Sequence, residues 1–106
     1  MRDINVGEFS NMFKEDRDGL EVVDVREQYE YDEVHIEGSK LIPMMGVQNR
    51  INEIDWSKTV VFVCRSGARS GHVARSLDNK YVILNLAGGI IACSGDSECQ
   101  IFLVRK

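Results

Sequence analysis

Thr59-Val60-Val61-Phe62-Val63-Cys64-Arg65-Ser66-Gly67-Ala68-Arg69-Ser70 is the stretch that decides how this chain is read. Thr59 to Val63 is an unbroken β-leaning run, the pattern of a strand covered on both faces, as in a parallel sheet. A cysteine and a short loop with Gly67 follow, and then Val73, Ala74 and Leu77 mark a helix over about 69–79. Cys64 therefore stands at the carboxyl end of a strand, where open α/β sheets bind ligands. The loop N–H groups and the helix N-terminus can face one anionic centre, and Arg65 and Arg69 add positive charge. Each of these influences lowers a thiol pKa, and the thiolate is the nucleophilic form. A lone cysteine after a strand is more often a small buried hydrophobe. Two arginines flanking a glycine turn make poor core material, however, and they favour the chemical reading.

Upstream, Phe9, Met12 and Phe13 have helical spacing and predict a short helix over about 7–15, and Leu20 to Val25 reads as a buried strand. Glu27 to Val34 is polar and predicts a helical turn. Leu41-Ile42-Pro43 is a short strand ended by the only proline. Val47, Ile51 and Ile54 share one face of a helix. Downstream, Val82 to Leu86 is the next strand. Strands alternating with helices predict a three-layer α/β domain, with a parallel sheet of about five strands and helices on both faces. For Gln100 to Val104, a terminal strand and a short helix are equally compatible with the sequence.

With 106 residues there is room for one domain, residues 1–106, and enough surface to bury that no metal or disulfide is needed to fold it. Hydrophobic residues at 43% and charged residues at 28% exclude a disordered chain, a fibre or a coiled coil. No apolar run is long enough to span a membrane, and Met1 to Ser10 carries no signal-type apolar segment, which predicts a cytoplasmic protein. The net charge of −4 argues against nucleic acid as a partner. It is unevenly spread: Lys14–Glu37 holds ten acids and three bases, whereas Lys58–Lys80 holds five bases and one acid. The cysteine loop is thus a basic segment in an acidic chain. Three cysteines without a signal read as free thiols, and no histidine–cysteine spacing fits a metal.

The loop Cys64-Arg65-Ser66-Gly67-Ala68-Arg69-Ser70 resembles the active-site loop of the single-domain rhodanese-like sulfurtransferases. Two further elements carry the likeness. One is Val23-Asp24-Val25-Arg26-Glu27 with Tyr31, His35 to Ser39 and Ile42-Pro43. The other is Asn85-Leu86-Ala87-Gly88-Gly89-Ile90. They stand in the family's order, and the resemblance is strongest over residues 4–92. It implies a sulfane sulfur carried on Cys64, in a cradle formed by Arg65, Ser66, Gly67, Ala68, Arg69 and Ser70. Asp24 and Arg26 are supporting residues, and Asp24 is the expected partner of Arg69. Arg65 is expected to orient an anionic donor, and Ser70 to hydrogen-bond the sulfur or cap the helix. His35 is expected to be structural and His72 exposed. The loop from Cys64 to Arg69 is six residues, C-x4-R. The related dual-specificity phosphatases have the longer C-x5-R, which makes room for phosphate.

The implied function is transfer of sulfur from thiosulfate or a persulfide to a thiol or cyanide, without a cofactor, by a monomer or weak dimer. The partners are a small anionic donor and a thiol or protein acceptor. The alternatives are a carrier or binding module that serves a partner protein and, behind it, a phosphatase or arsenate reductase. After Ile91 the sequence departs from the family, and the tail 93–106 is atypical. Cys93 stands near the place of the usual tryptophan, and Ser94 to Cys99 replaces the usual helix. Cys93 and Cys99 read as buried reduced thiols. The competing reading makes them a redox pair that intercepts the sulfur on Cys64.

Overall fold

The fold is read from a computed structural model that describes residues 1–77 and 81–106. In chain order its elements begin with β1 (Arg2–Ile4), α1 (Val6–Glu15), β2 (Leu20–Asp24), α2 (Gln28–Glu33), β3 (Val34–Ile36) and β4 (Lys40–Leu41). After these come 3-10 turns at Met44–Gly46 and Gln48–Glu53, β5 (Thr59–Val63), α3 (Ala68–Ser76), β6 (Ile83–Leu86) and α4 (Gly89–Ser94). A last 3-10 turn, Cys99–Phe102, leads into β7 (Leu103–Arg105). Five parallel strands form the main sheet in the order β1-β6-β5-β2-β4, and β3 and β7 make a separate antiparallel pair. This is the expected α/β sheet.

Strand periodicity divides the core between the two faces of the sheet. In β5, Val61 and Val63 join Phe9, Phe13, Leu86 and Ile90 on the face covered by α1 and α4. Val60, Phe62 and the following Cys64 join Val23, Val25, Val73 and Ala74 on the face covered by α3 and the 3-10 turns. α1 begins with a capping box in which Asn5 accepts from the Glu8 N–H at 2.8 Å and Glu8 accepts from the Asn5 N–H at 3.1 Å.

Several expectations shift in detail. The apolar face of Val47, Ile51 and Ile54 packs inward, but on 3-10 turns broken at Arg50 (φ −119°, ψ 20°) rather than on a continuous helix. The expected helix 69–79 begins at Ala68 and runs to Ser76, and residues 78 and 79 of it lie outside the described residues. The polar stretch after Glu27 is a helix of six residues. The tail is both things the sequence allowed, a 3-10 turn and then a strand paired with β3.

The reading of three free thiols is corrected. Cys64 is free, but Cys93 and Cys99 form a disulfide, with Cα atoms 5.0 Å apart. The turn between them is held by Asp96, whose Oδ1 accepts from the N–H groups of Glu98 and Cys99 at 3.0 and 2.9 Å. That folds Cys99 back onto α4, and both sulfurs sit at 0% exposure against the core. Burial and proximity decide the pairing. The bond lies on the α1/α4 face while the Cys64 side chain packs on the opposite face, so the sheet separates them and no sulfur passes directly between them. Reduction is expected to require partial unfolding. A Cys93→Ser, Cys99→Ser chain should lose about 2 kcal/mol, the chain-entropy value for so short a loop. In a thermal melt this is a fall of roughly 10 °C. An unchanged melting temperature would show that the bond does not staple the tail.

Candidate active site

β5 delivers the cysteine. The ladder continues past the strand ends, with the Val25 N–H donating to the Val63 carbonyl at 2.9 Å, so the backbone is fixed up to the residue before Cys64. The loop then turns over Gly67 (φ +94°), and α3 starts at the next residue. At that φ a side chain is strained, and a Cβ there would stand 3.1 Å from the Leu86 carbonyl oxygen and the Gly88 nitrogen. Outside the loop, the first N–H groups of α4 take its carbonyls: Ile90 donates to Cys64 O and Ile91 to Arg65 O, both at 3.0 Å. With its carbonyls engaged by α4, the loop is free to turn N–H groups toward the sulfur.

Cys64 is 1% exposed, beneath the exposed Arg65, Ser66 and Ala68. Its Sγ accepts from the Gly67 N–H at 3.1 Å and from the Ser70 hydroxyl at 3.3 Å. Burial pushes the thiol up. The Ser70 hydroxyl and the N–H groups of Ser70, Ser66 and Gly67 outweigh it and hold Cys64 below the ordinary thiol value. The sequence credited much of this to the two arginines, whereas hydrogen-bond donors of the loop and the first turn of α3 supply it.

The arginines serve other ends. Arg69 does not pair with Asp24. It makes a two-pronged ion pair with Glu30 of α2, at 2.8 and 2.9 Å, tying the cysteine loop to the α2 helix. Asp24 is fully occupied by Arg26. It accepts from the Arg26 Nε at 3.0 Å, Nη2 at 2.9 Å and backbone N–H at 3.0 Å, with both side chains buried. Asp24 is two residues from Arg26, and the turn after β2 folds the guanidinium back onto it, leaving Arg69 to reach outward to α2. Arg26 also donates to the Val34 carbonyl at 2.5 Å, which anchors β3. Arg65 is exposed, has no acidic partner among the described residues, and opens onto a cleft of about 320 Å³ shared with Glu30, Glu33, Val34 and Ile91.

His35 is held in the scaffold. It stacks on Tyr31 at 3.9 Å, and its Nδ1 lies 2.8 Å from the Tyr31 carbonyl. His72 is exposed on α3. Glu30 was not singled out from sequence. Its signal is one acid among several in the polar run before His35, indistinguishable from Glu27, Asp32 and Glu33 until the fold places it against Arg69.

The Arg69 ion pair holds the Glu30 carboxyl down to about 2, against an ordinary 4.5. A carboxylate with a lowered folded-state pKa adds stability above its unfolded value and loses it as pH falls. The urea stability of the wild-type chain should therefore exceed that of Glu30→Gln at neutral pH. The gap should close between about pH 4.5 and pH 2. A gap that does not vary with pH would mean the pair contributes packing only.

A family model described as the rhodanese-like domain matches residues 5–95. A protein of Allochromatium vinosum named "Sulfurtransferase" is 37% identical over 79 residues, covering 73% of this chain and 74% of that protein. The Bacillus subtilis (strain 168) protein named "Putative sulfur carrier protein YrkF" is 32% identical over 76% of this chain, which spans only 45% of that relative's length. Among solved structures, a rhodanese-like domain protein from Staphylococcus aureus superposes with a TM-score of 0.78 at 31% identity, over 87% of this chain and 90% of that one. Among the described residues no helix is long and apolar enough to cross a membrane.

Proposed function

The chain belongs to the rhodanese-like domain family, and from that premise we propose that it transfers a sulfane sulfur from thiosulfate or a persulfide to a thiol or cyanide through a persulfide on Cys64. The observation that carries this reading is the pair of donors on the free sulfur, the Gly67 N–H at 3.1 Å within the six-residue loop and the Ser70 hydroxyl at 3.3 Å just after it. These donors favour the thiolate that attacks, and they would hold the charge on the loaded sulfur in the way of an oxyanion hole. In the first step the Cys64 thiolate attacks the outer sulfur of thiosulfate. An S–S bond forms to Cys64, the donor's own S–S bond breaks, and sulfite leaves with the electron pair. In the second step cyanide or a thiolate attacks the outer persulfide sulfur, and the Cys64 thiolate departs.

Arg65 is the residue for binding an anionic donor, being exposed and uncompensated beside the cleft. The short loop gives a phosphoryl group less room than C-x5-R does and speaks against the phosphatase reading. A carrier role, in which the persulfide is handed to a partner protein, is favoured by the likeness to YrkF. We place the chain in the cytoplasm as a monomer or weak dimer, where the buried Cys93–Cys99 bond would persist only through slow access of thiol reductants.

The test is to incubate the protein with thiosulfate and weigh the Cys64 peptide. The expected result is a gain of one sulfur atom, followed by thiocyanate release and return to the starting mass on adding cyanide. A stable load released only to a thiol protein would favour the carrier. No load from any sulfur donor, with hydrolysis of a phosphate ester instead, would overturn the reading.

A further inference from the structure

Ser70 has one hydroxyl proton and two neighbours competing for it. Its Oγ stands 3.3 Å from Cys64 Sγ and 2.5 Å from Asn85 Oδ1. Asn85 is 3% exposed in β6, and its carboxamide cannot turn round. Its Nδ2 donates to Asp3 Oδ1 at 2.9 Å and to the Gly67 carbonyl at 3.2 Å. Both are acceptors, so the nitrogen must face them and the oxygen must face Ser70. The parallel register sets Asp3 of β1 directly beside Asn85, which fixes this arrangement from the far edge of the sheet.

We propose that Asn85, locked by Asp3 and the Gly67 carbonyl, is a positioning residue that offers the Ser70 proton a second seat, so that Ser70 serves Cys64 only when the sulfur is anionic. When Cys64 is a thiol, its S–H donates to Ser70 Oγ and Ser70 donates to Asn85. When the thiol proton leaves to solvent, the hydroxyl rotates about Cβ–Oγ and donates to the thiolate. Asn85 Oδ1 then faces an oxygen that no longer donates to it. No covalent bond is made or broken at Ser70. Once Cys64 carries a second sulfur, its inner atom is a weak acceptor, and the hydroxyl returns to Asn85. Asn85 thus restrains the free thiolate and supports the loaded state. The charged groups facing this relay are Asp3, which Asn85 engages; Arg75, whose Nη1 and the Asn85 Nδ2 stand 3.2 and 3.1 Å from where a Cβ on Gly71 would be; and Arg69, which Glu30 pairs. The inference rests on Cys64 being the reacting sulfur. It does not depend on which donor or acceptor is used.

The experiment is Cys64 alkylation by iodoacetamide across pH, which reads thiolate without any sulfur transfer. Asn85→Leu removes the second seat at similar volume. On the acid side of the curve its alkylation should run about three- to tenfold faster than wild type, the size of one neutral hydrogen bond. Ser70→Ala should run slower than wild type, and the double variant should match Ser70→Ala alone. An Asn85→Leu chain that melts cooperatively and alkylates no faster would overturn the proposal. So would an acceleration that persists without Ser70. Should Asn85→Leu not fold, the wild-type carboxamide carbon resonance of Asn85 is followed against pH. It should move with the Cys64 midpoint and stay flat in Ser70→Ala, and a flat wild-type response overturns the proposal. If these shifts appear but thiosulfate never loads Cys64, the relay stands and the proposed transfer falls.

Discussion

Cys64→Ser is expected to fold normally and to lose sulfur transfer down to the uncatalysed background. The serine oxygen is close to isosteric and can accept the same Gly67 N–H, so the loop keeps its shape and the melting temperature should change by only a few degrees. The chemistry cannot survive. A hydroxyl at neutral pH presents almost no anion, and an oxygen in place of Sγ cannot form the S–S bond on which the transferable atom rides. Ser70→Ala removes only one of the groups that favour the thiolate, so that variant should be slowed yet still load sulfur. The measurement is thiocyanate formation from thiosulfate and cyanide, alongside the mass of the active-site peptide. Residual turnover in Cys64→Ser would move the reacting group elsewhere. Cys93 and Cys99 would not be candidates, since both are bonded to each other on the other side of the sheet.

The parts of this molecule that could be read from sequence are those written in local pattern. Thr59 to Val63 is continuous and β-branched, so the central strand is legible. The cysteine, Gly67 and the return of helical spacing at Val73 make the loop legible with it. β1 and β3, of three residues each, are too short to leave a periodic signal, and tertiary pairing with β6 and β7 creates them. The charge partners were misread for a related reason. Asp24 ends β2, and Arg69 stands in the first turn of α3, just past the cysteine loop that follows the adjacent β5, so proximity makes them a plausible pair. The choice between Asp24 and Glu30 depends on where Arg26 folds, which composition does not encode. The disulfide is not legible because three cysteines in a chain without a signal-type segment read as reduced thiols. Inside the core, the Asp96 turn brings the two sulfurs together regardless.

Gly89→Ala is expected to be the most damaging single substitution outside Cys64, although it adds only a methyl group. Gly89 opens α4 at φ +58°, and a Cβ there would stand 2.4 Å from the Cys64 carbonyl oxygen and 2.5 Å from that of Arg65. Those are the carbonyls that the Ile90 and Ile91 N–H groups bind at 3.0 Å. They are backbone atoms, so no side-chain rotation relieves the clash. Either α4 lifts off the loop or the loop retreats toward the sheet. The conformational cost of left-handed φ is about 1 kcal/mol and overpacking adds about 2 kcal/mol, together a large part of a small domain's stability. Gly38→Ala separates the two effects, because Gly38 has φ +78° with nothing within 4 Å of its would-be Cβ. It should cost only the conformational part, about 1 kcal/mol in urea unfolding. Gly89→Ala should cost roughly three times as much and should also slow Cys64 alkylation, because a loop that loses its α4 contacts no longer aims the Gly67 N–H at the sulfur. Equal costs for the two variants, with normal alkylation in both, would show that α4 does not hold the cysteine loop in shape.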